Sequence, residues 1–519
     1  MKKLLFSIAV IFCMFLLSTS APAAGGNDTV KVGVAYDSST VNMLEMKLGY
    51  DLPVILCMHE TLIAPDLETG ELTMGLAKSM EVMPNKKDIK ITLRKGPVFH
   101  TGDPLTAHDV KWTYEQCINP ENANVMAGTL DEIEPIEILD DYSFIFHLWE
   151  PYAAWKELMW IGICSKKYYD KVGRETFRRK PVGSGIFRFV ERRMGESVTL
   201  EVVPNHHGYR LLKEAYGIDP PNFRYLKFVT VPDAVTRLSM LETGELDLVT
   251  AVLPHQLKRL ERNPHIIIKK TGRVPSLFGV SVRPFTHPIM KDKKLKRAMN
   301  HAINRQEIID KIFLGEGYPL YMYASKSEPG DDPEVSYAFD PEKARELVKQ
   351  STYVPGTPLP FTYTNETPNC SLVAQAVQKY LGDVGITVKL QQLEAGTAAT
   401  YSRNKDKRAG PLVLFSWGGG RDPSTRLLLT ISSKGGYCSY PDRPNREEMD
   451  KWCMAQARET DETKRRAILK KIHDCMIDDP GSIILFGLNM IYAMRDRIEY
   501  SWTPNDLYAF NLYTIKIVK

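Results

Sequence analysis

The stretch Pro411-Leu-Val-Leu-Phe-Ser-Trp-Gly-Gly-Gly-Arg-Asp-Pro423 decides how we interpret the fold of this 519-residue chain. Four consecutive apolar residues lead directly into three glycines flanked by Trp417 and Arg421. An unbroken apolar run is typical of a strand covered on both faces, and open α/β sheets bind ligands beyond the carboxyl ends of such strands. Glycines also let backbone amides approach a ligand closely. The segment therefore predicts a buried strand over Leu412–Phe415 that ends in a ligand loop. The alternative is a plain glycine turn, with the tryptophan in the core and the arginine in solvent. The ligand-loop interpretation places these residues at the ligand: Trp417, Gly418, Gly419 and Arg421.

The first 24 residues have the features of a signal peptide that is removed on export. Two lysines open it, Leu4–Leu17 is apolar, and Ala21-Pro22-Ala23 is a small-residue cleavage site. The apolar run is short for a bilayer span, which argues against an uncleaved membrane anchor. Cys13 lies inside the apolar run rather than at the cleavage site, so no lipid anchor is indicated. We therefore expect a soluble periplasmic protein, cleaved near Ala23/Ala24.

Length and composition indicate a large globular protein with about three domain-sized units. Hydrophobic residues make up 43% of the chain and aromatic residues 10%. The formal net charge of +4 falls by two, to +2, when the two leader lysines are removed. Such a balanced charge argues against a nucleic-acid partner. We expect a monomer.

The cysteines do not form a disulfide framework. Eight cysteines are present and seven remain after loss of the leader, so at least one thiol is unpaired. Cys438 and Cys453 flank a short, turn-rich link and are the only candidate bridge, although sequence does not establish connectivity. The spacings contain no CxxC and no zinc pattern.

A second candidate ligand loop follows the first predicted strand. Valines alternate with other residues from Val30 to Tyr36, which is the period-two pattern of a strand. The strand is followed by Asp37-Ser38-Ser39-Thr40, which is either a ligand loop or a serine-rich turn. The ligand-loop interpretation makes Tyr36, Ser38 and Ser39 candidate binding residues.

Helix and strand signals continue to the end of the chain. Thr106–Asp109 and Asn304–Glu307 have capping-box spacing, and Asp340-Pro341 is a typical helix start. Apolar periodicity then predicts these further elements: a strand over Lys90–Arg94, a helix over Leu372–Leu381, a strand over Ile386–Leu390, a helix over Arg446–Arg458, a helix capped by Asp461, and a buried strand over Ile483–Phe486.

The segment Leu93-Arg-Lys-Gly-Pro-Val-Phe-His-Thr-Gly-Asp-Pro-Leu-Thr-Ala-His-Asp-Val110 resembles a motif of the family 5 extracellular solute-binding proteins. These are the large periplasmic oligopeptide, dipeptide and nickel receptors of ABC importers. Pro181–Arg188 and Asn300–Ile309 resemble further elements of the family in the same order, so the resemblance spans the mature chain. The chain departs from the family pattern at Glu60-Thr61-Leu62 and at Met80.

The resemblance implies an α/β fold of periplasmic-binding-protein type II. In that fold two α/β lobes are joined by two crossing strands, lobe one carries an inserted subdomain, and the ligand lies in the cleft between the lobes. We place the crossings near Thr271 and Phe486. The expected ranges are 1–24 for the signal peptide, 25–271 and 487–519 for lobe one with the insertion at 57–181, and 272–486 for lobe two.

The resemblance also adds candidate binding residues. Ser184 and Gly185 lie in the family's glycine-rich strand pair, and His59 falls where the family places an aromatic residue near the cleft. His59 is either a ligand donor or a buried structural histidine.

An exported enzyme is the rival class, and its motifs are absent. The chain has no GxSxG, HExxH, GxGxxG or phosphate-loop pattern. Ser402 and Lys405 have Ser-x-x-Lys spacing within a run of charged residues, so an exported hydrolase is the different-class alternative. His206-His207 has no acid or cysteine at ligand spacing. We therefore expect a binding protein with no catalytic residue, cofactor or metal, which delivers a solute to a membrane permease of an ABC importer.

The class of solute can be inferred from two peptide-binding residues that the family has and this chain lacks. Peptide receptors of the family place an Asp soon after the loop Trp, and dipeptide receptors place an Arg ahead of a lobe-two helix. Here glycines occupy the first place, with Asp422 displaced along the loop, and Tyr363-Thr364-Asn365 occupies the second. A buried ammonium or carboxylate without a partner is costly. We expect a non-peptide organic solute, aromatic, acidic or opine-like, with a peptide as the alternative. The candidate contacts here are Tyr363, Asn365 and Asp422.

Overall fold

The computed structural model describes residues 28–47, 49–271, 276–325, 328–332, 335–364, 369–403, 405–418, 422–500 and 511–518. The expected leader lies outside these residues, as do the candidate ligand contacts Asn365, Gly419 and Arg421. None of the helices in those ranges combines the length and the apolar composition needed to cross a bilayer.

The described strands, in chain order, are β1 (Thr29–Val34), β2 (Ile63–Pro65), β3 (Leu72–Met74), β4 (Ala77–Val82), β5 (Asp88–Leu93), β6 (Glu137–Asp140), β7 (Ser143–His147), β8 (Phe187–Arg193), β9 (Ser197–Val202), β10 (Tyr225–Thr230), β11 (Leu248–Val249), β12 (Ile266–Thr271), β13 (Ser276–Val282), β14 (Gly317–Pro319), β15 (Leu359–Tyr363), β16 (Val388–Gln392), β17 (Leu412–Gly418), β18 (Ser482–Leu488), β19 (Met490–Arg495), β20 (Ile498–Glu499) and β21 (Lys516–Ile517).

The described α-helices are α1 (Leu52–Met58), α2 (Ala107–Ile118), α3 (Ala127–Leu130), α4 (Lys166–Arg179), α5 (Gly208–Tyr216), α6 (Ala234–Thr243), α7 (Leu257–Leu260), α8 (Lys293–Ala302), α9 (Arg305–Ile312), α10 (Pro341–Gln350), α11 (Cys370–Asp383), α12 (Ala395–Arg403), α13 (Ser424–Thr430), α14 (Arg446–Arg458) and α15 (Glu462–Asp478).

The first lobe is built on a seven-stranded sheet with the order β12-β19-β11-β1-β10-β9-β8. The predicted first strand is confirmed as β1, which pairs in parallel with both β10 and β11. Val30 and Val32 of β1 are buried in the core below this sheet. Because β1 is central, the loop that follows it emerges at the middle of the sheet edge.

The second lobe is built on a six-stranded sheet with the order β14-β18-β13-β17-β15-β16. The predicted strand at Leu412–Phe415 is confirmed as β17, which pairs antiparallel with β13 and in parallel with β15. β17 continues to Gly418, because Trp417 and Gly418 pair with Leu277 and Ser276. The expectation that Trp417 and Gly418 lie in the loop was therefore wrong: they are the last residues of the strand.

An inserted subdomain packs against the first lobe with its own four-stranded sheet, β4-β5-β7-β6. The predicted capping box opens α2, since the Asp109 carboxylate accepts from the Thr106 amide at 3.0 Å. Tyr114 of α2 packs edge-on against Phe146 of β7, with ring centroids 4.9 Å apart. This contact joins helix and sheet in one core.

The other helix starts that the sequence predicts are also confirmed. The side chains of Asn304, Asp340 and Asp461 accept hydrogen bonds from backbone amides of the first turns of α9, α10 and α15. Each satisfies a donor that the helix itself leaves open.

The chain passes between the two sheets twice. It first leaves β12 at Thr271 and enters β13 at Ser276, and it returns from β18 to β19 through Asn489 alone. The Ser276 hydroxyl joins the two passages, since it accepts from the Leu488 amide at 3.2 Å and lies 3.3 Å from the Leu488 carbonyl oxygen. The two lobes are thus connected by two adjacent segments.

The candidate disulfide is not formed. Cys438 and Cys453 are both free, as are the other five cysteines in the described part of the chain. The Cys438 thiol donates to the carbonyl of Ile431 at 3.6 Å. Cys453 is buried in the apolar cluster that α14 and α15 share.

Candidate ligand-binding site

A cavity of about 400 Å³ lies between the two lobes. Val34, Tyr36 and Ser38 line it from the end of β1, and Phe278 and Trp417 line it from β13 and β17. The returning segment Leu488–Ile491 forms another wall. Most of the lining side chains are apolar, as is usual for cavities that hold small organic molecules. The two strand ends that the sequence singled out therefore meet at one cavity.

Two aromatic side chains from opposite lobes line this cavity. Tyr36 is 50% exposed and stacks on Tyr50, with ring centroids 5.1 Å apart. Trp417 is half-buried and contacts Tyr437 edge-on at 6.0 Å. Each ring is thus fixed on one side by a neighbour and faces the cavity on another. A planar or apolar solute gains contact area from such rings at little cost in side-chain entropy.

Glu316 is an acidic lining residue that sequence reasoning missed. It lies just before β14, and its carboxylate accepts from Lys270 Nζ at 2.7 Å and from Asn489 Nδ2 at 3.1 Å. No motif marks Glu316, because its place in the cavity depends on the pairing of β14 with β18. The acid gives the cavity a negative group that is held beside the returning segment.

The serine loop after β1 is held by hydrogen bonds within the first lobe. Ser39 donates from its hydroxyl to Asp51 Oδ2 at 2.8 Å and from its amide to Oδ1 at 2.6 Å. Arg192 binds the loop from β8, through Asp37 Oδ2 at 3.2 Å and the Ser39 carbonyl at 3.2 Å. The structure therefore places Ser38 at the cavity, whereas the Ser39 side chain fixes the loop.

His59, Ser184 and Gly185 do not line the cavity between the lobes. His59 and Gly185 line a second cavity of about 520 Å³ formed by residues of the first lobe and its subdomain. His59 is 2% exposed, its Nδ1 lies 3.0 Å from the carbonyl oxygen of Ile55, and burial lowers its pKa to about 4. Gly185 approaches the backbone so closely that a Cβ would lie 2.6 Å from the Cys57 carbonyl oxygen. Ser184 is fully buried beside them.

The structure gives Asp422 and Tyr363 other partners. Both carboxylate oxygens of Asp422 accept from Arg465 of α15, at 2.7 and 2.6 Å. Asp422 also accepts from the amide of Ser424 at the start of α13. The Tyr363 hydroxyl donates to Gln392 at 3.3 Å at the end of β16. Neither residue lines the cavity between the lobes.

Ser402 does not have the surroundings of a nucleophile. Its hydroxyl accepts a hydrogen bond from Arg283 Nη2 at 2.9 Å. A guanidinium carries donors only, so it does not take a proton from serine. Lys405 contacts Ser402 through the backbone, from the Lys405 amide to the Ser402 carbonyl oxygen at 3.3 Å.

Comparison with known proteins agrees with this architecture. A model of the bacterial extracellular solute-binding proteins, family 5, matches residues 71–437. The ABC transporter substrate-binding protein CtaP of Listeria monocytogenes superposes with a TM-score of 0.83 at 21% identity, covering 95% of this chain and 99% of that one. Protein XP55 of Streptomyces lividans is 26% identical over 94% of this chain and 90% of its own length. The glutathione-binding protein GsiB of Pectobacterium atrosepticum is 25% identical over 84% of each chain.

The two-lobed fold with a cavity between the lobes defines a type II periplasmic-binding-protein architecture. The chain belongs to the family 5 bacterial extracellular solute-binding proteins. The resemblance found in the sequence is confirmed.

Proposed function

We propose that this protein captures a small organic solute between its lobes and delivers it to the membrane permease of an ABC importer. The observation that carries the proposal is that Tyr36 and Trp417, on different lobes, line one cavity. A solute that contacts both rings favours the arrangement in which the lobes are close together, and hinge closure around a ligand follows from such two-sided contact. Family membership supports a solute-binding role outside the cytoplasm. Export to the periplasm, a monomeric state and the absence of catalysis are further parts of the proposal.

The lobe boundaries are part of this proposal. Lobe one comprises 25–271 and the C-terminal part of the chain, with the insertion at 57–181, and lobe two lies between the crossings. The strand assignments support these bounds, since all strands of the seven-stranded sheet precede residue 272 or follow residue 489. We therefore propose Asn489 as the second crossing in place of Phe486, because β18 runs to Leu488.

The solute we propose is a non-peptide organic molecule with an aromatic or apolar part. Asp422, the acid nearest to the place where peptide receptors bind an ammonium group, is bound on both oxygens by Arg465. Tyr36, Ser38, Trp417 and Gly418 are the contacts we assign. An apolar cavity with two exposed rings suits a planar solute better than a zwitterion.

One observation favours a peptide as the second candidate. Glu316 lines the cavity and accepts hydrogen bonds from Lys270 and Asn489. It has no bidentate arginine partner of the kind that holds Asp422 among its described contacts. The Lys270 side chain is 39% exposed whereas Glu316 is 12% exposed, so the lysine, unlike the acid, can exchange this contact for water. An ammonium group of a peptide can therefore replace Lys270 at this carboxylate.

The proposal is tested by identifying what the protein carries. Protein secreted by its own host is purified without denaturation, and the released small molecules are identified by mass spectrometry. The same compound is then titrated into ligand-free protein by calorimetry while tryptophan fluorescence is followed. We expect one site per chain, a fluorescence change and no product. Turnover of the compound that is lost in Ser402→Ala would contradict the receptor function.

A further inference from the structure

A cluster of two histidines and one carboxylate lies in the first lobe, away from the cavity between the lobes. Glu60 follows α1, and His206 and His207 precede α5. One potential ligand atom from each of the three residues lies within 4.8 Å of the other two. The separation of 147 positions between Glu60 and His207 explains why ligand spacing in the sequence did not reveal the cluster.

The ligand atoms are already oriented toward one another. His207 Nε2 lies 2.8 Å from Glu60 Oε2, and the rings of His206 and His207 lie 4.0 Å apart. Ligands bound to Zn²⁺ at about 2.0–2.1 Å in a tetrahedron are separated by about 3.3 Å. The His207–Glu60 pair is slightly closer than this value and the other ligand-atom separations are at most 4.8 Å, so the three side chains need only re-orient about a common centre to bind an ion.

The surroundings of His206 resemble those of a metal ligand. Its Nε2 lies 2.6 Å from the carbonyl oxygen of Ser184, so this nitrogen carries the proton and Nδ1 carries the lone pair. Donation of the second ring N–H to a backbone carbonyl is the usual way in which proteins orient a ligating histidine. Nδ1 accepts from the Gly208 amide at 3.0 Å, and an ion would replace that contact.

A second observation points to an absent ligand. His59 lines the cavity beside this cluster, is 98% buried, and its Nε2 has no hydrogen-bond partner within the described ranges. Buried polar nitrogens are normally satisfied, so the open His59 Nε2 indicates a missing partner, such as a water bound to an ion at the cluster.

Charge and access also suit a divalent cation. Glu60 supplies a carboxylate to a site that the two imidazoles complete, and its Oε2 already lies 2.8 Å from His207 Nε2. The side chains of Glu60 and His207 remain 27% and 18% exposed, which leaves a route for the ion and room for water as a fourth ligand.

We propose that Glu60, His206 and His207 form an accessory Zn²⁺ site in the first lobe, separate from the solute cavity. Two imidazole nitrogens and one carboxylate are a ligand set that Zn²⁺ prefers, with water completing the tetrahedron. The ion joins the end of α1 to the start of α5. It therefore stabilises the lobe that carries the serine loop, whichever solute is bound.

The test uses the full mature chain after treatment with a chelator. Calorimetric titration with ZnCl₂ is expected to show one saturable site per chain, and saturating zinc is expected to raise the Tm by about 2–4 °C. Glu60→Gln and His207→Ala should each weaken zinc binding at least about tenfold. Circular dichroism and zinc-free thermal unfolding show whether each variant is folded.

His147→Ala is the matched control. His147 also contacts carboxylates, Asp88 at 2.8 Å and Glu137 at 3.1 Å, but on opposite ring nitrogens, so these three residues do not surround one ion. The control should keep wild-type zinc affinity. Absence of saturable zinc binding in the wild type, equal affinity in the folded Glu60→Gln and His207→Ala variants, or loss of binding in His147→Ala would each overturn the proposal.

Discussion

Arg458 of the second lobe binds Glu132 of the inserted subdomain through two hydrogen bonds, of 2.5 and 3.3 Å. The neighbouring backbone adds a contact, from the Ala153 amide to the Ala457 carbonyl at 2.7 Å. These contacts join α14 to the subdomain, whereas the chain connections between the lobes lie at Thr271–Ser276 and at Asn489. The lobes are therefore held at two separate places.

Removing the Glu132 charge is expected to favour separation of the lobes. The pair is about one-quarter exposed, so Glu132→Gln should weaken the contact by about 0.5–1 kcal/mol. Small-angle X-ray scattering of ligand-free protein should show a larger radius of gyration. Glu175→Gln is the control, because Glu175 pairs only within α4, with Arg178 and Arg179. Identical scattering from wild type and Glu132→Gln would show that the contact does not hold the lobes together.

Trp417→Ala is expected to weaken solute binding by about 1–3 kcal/mol, because it removes an aromatic wall of the cavity. Calorimetric affinity for the co-purified solute is the measurement. Trp149→Ala is the control, since Trp149 is exposed at the end of the subdomain sheet and does not line the cavity. A loss of stability with unchanged affinity would mean that Trp417 serves only the core around Tyr437.

Asp422→Asn is expected to reduce stability without reducing affinity. The pair with Arg465 is about nine-tenths buried on both sides, so loss of the charge should cost about 3 kcal/mol of the free energy of unfolding. Denaturant unfolding measures this, with the exposed Asp170 of the Lys166–Asp170 pair changed to Asn as control. Submicromolar peptide binding that Asp422→Asn abolishes in folded protein would show instead that this is a peptide receptor.

Glu316→Gln distinguishes cationic from uncharged solutes. An ammonium group bound at this carboxylate loses a charge-assisted hydrogen bond, so peptide affinity should fall at least about tenfold. Binding of a neutral or acidic solute should be unchanged or stronger. Lys270→Met is the control, because it removes the present partner of Glu316 and keeps the acid. Equal affinity of both variants for a bound peptide would show that Glu316 does not contribute to peptide recognition.

Stability should decrease on mild acidification. Burial lowers the pKa of His473 to about 4, against about 6.5 in the unfolded chain. Between these values the unfolded chain binds a proton that the folded protein does not, so the free energy of unfolding rises with pH. Acidification from pH 7 to pH 5 should cost about 2 kcal/mol from this group. His59 contributes with the same sign.

Denaturant unfolding at several pH values measures the slope, and His473→Gln should reduce it. His265→Gln, at an exposed position, controls for the loss of a histidine as such. The same slope in His473→Gln and in the wild type would mean that His473 is protonated equally in both states.

Short sequence patterns predicted the strands and helix starts that depend on interactions between residues close together in the chain. β1, β17 and the caps at Thr106, Asn304 and Asp340 follow from alternation, apolar runs and hydrogen bonds within four residues. The same patterns brought Tyr36, Ser38, Trp417 and Gly418 to one cavity, because both strands end there.

What the sequence did not reveal depends on distant pairing. Asp422 lies 43 residues before Arg465, and Glu316 reaches the cavity only through the pairing of β14 with β18. His59 and Gly185 were assigned by family position, and the packing of the subdomain places them at a different cavity. Trp417 belongs to the strand because Leu277 of β13 pairs with it, which no local motif indicates.

The hydrogen bonds between Ser276 and Leu488 have a mechanical consequence. On one side of the crossing Thr271 pairs with Met490, and on the other Phe278 pairs with Phe486. The described ends of the two connections are therefore tied together at Ser276 and Leu488, with paired strands on either side of the tie. We expect this tie to limit the directions in which one lobe can turn relative to the other. If the protein is the receptor that we propose, different solutes would then produce closed forms of similar shape, and a transporter could recognise that shape without contacting the solute.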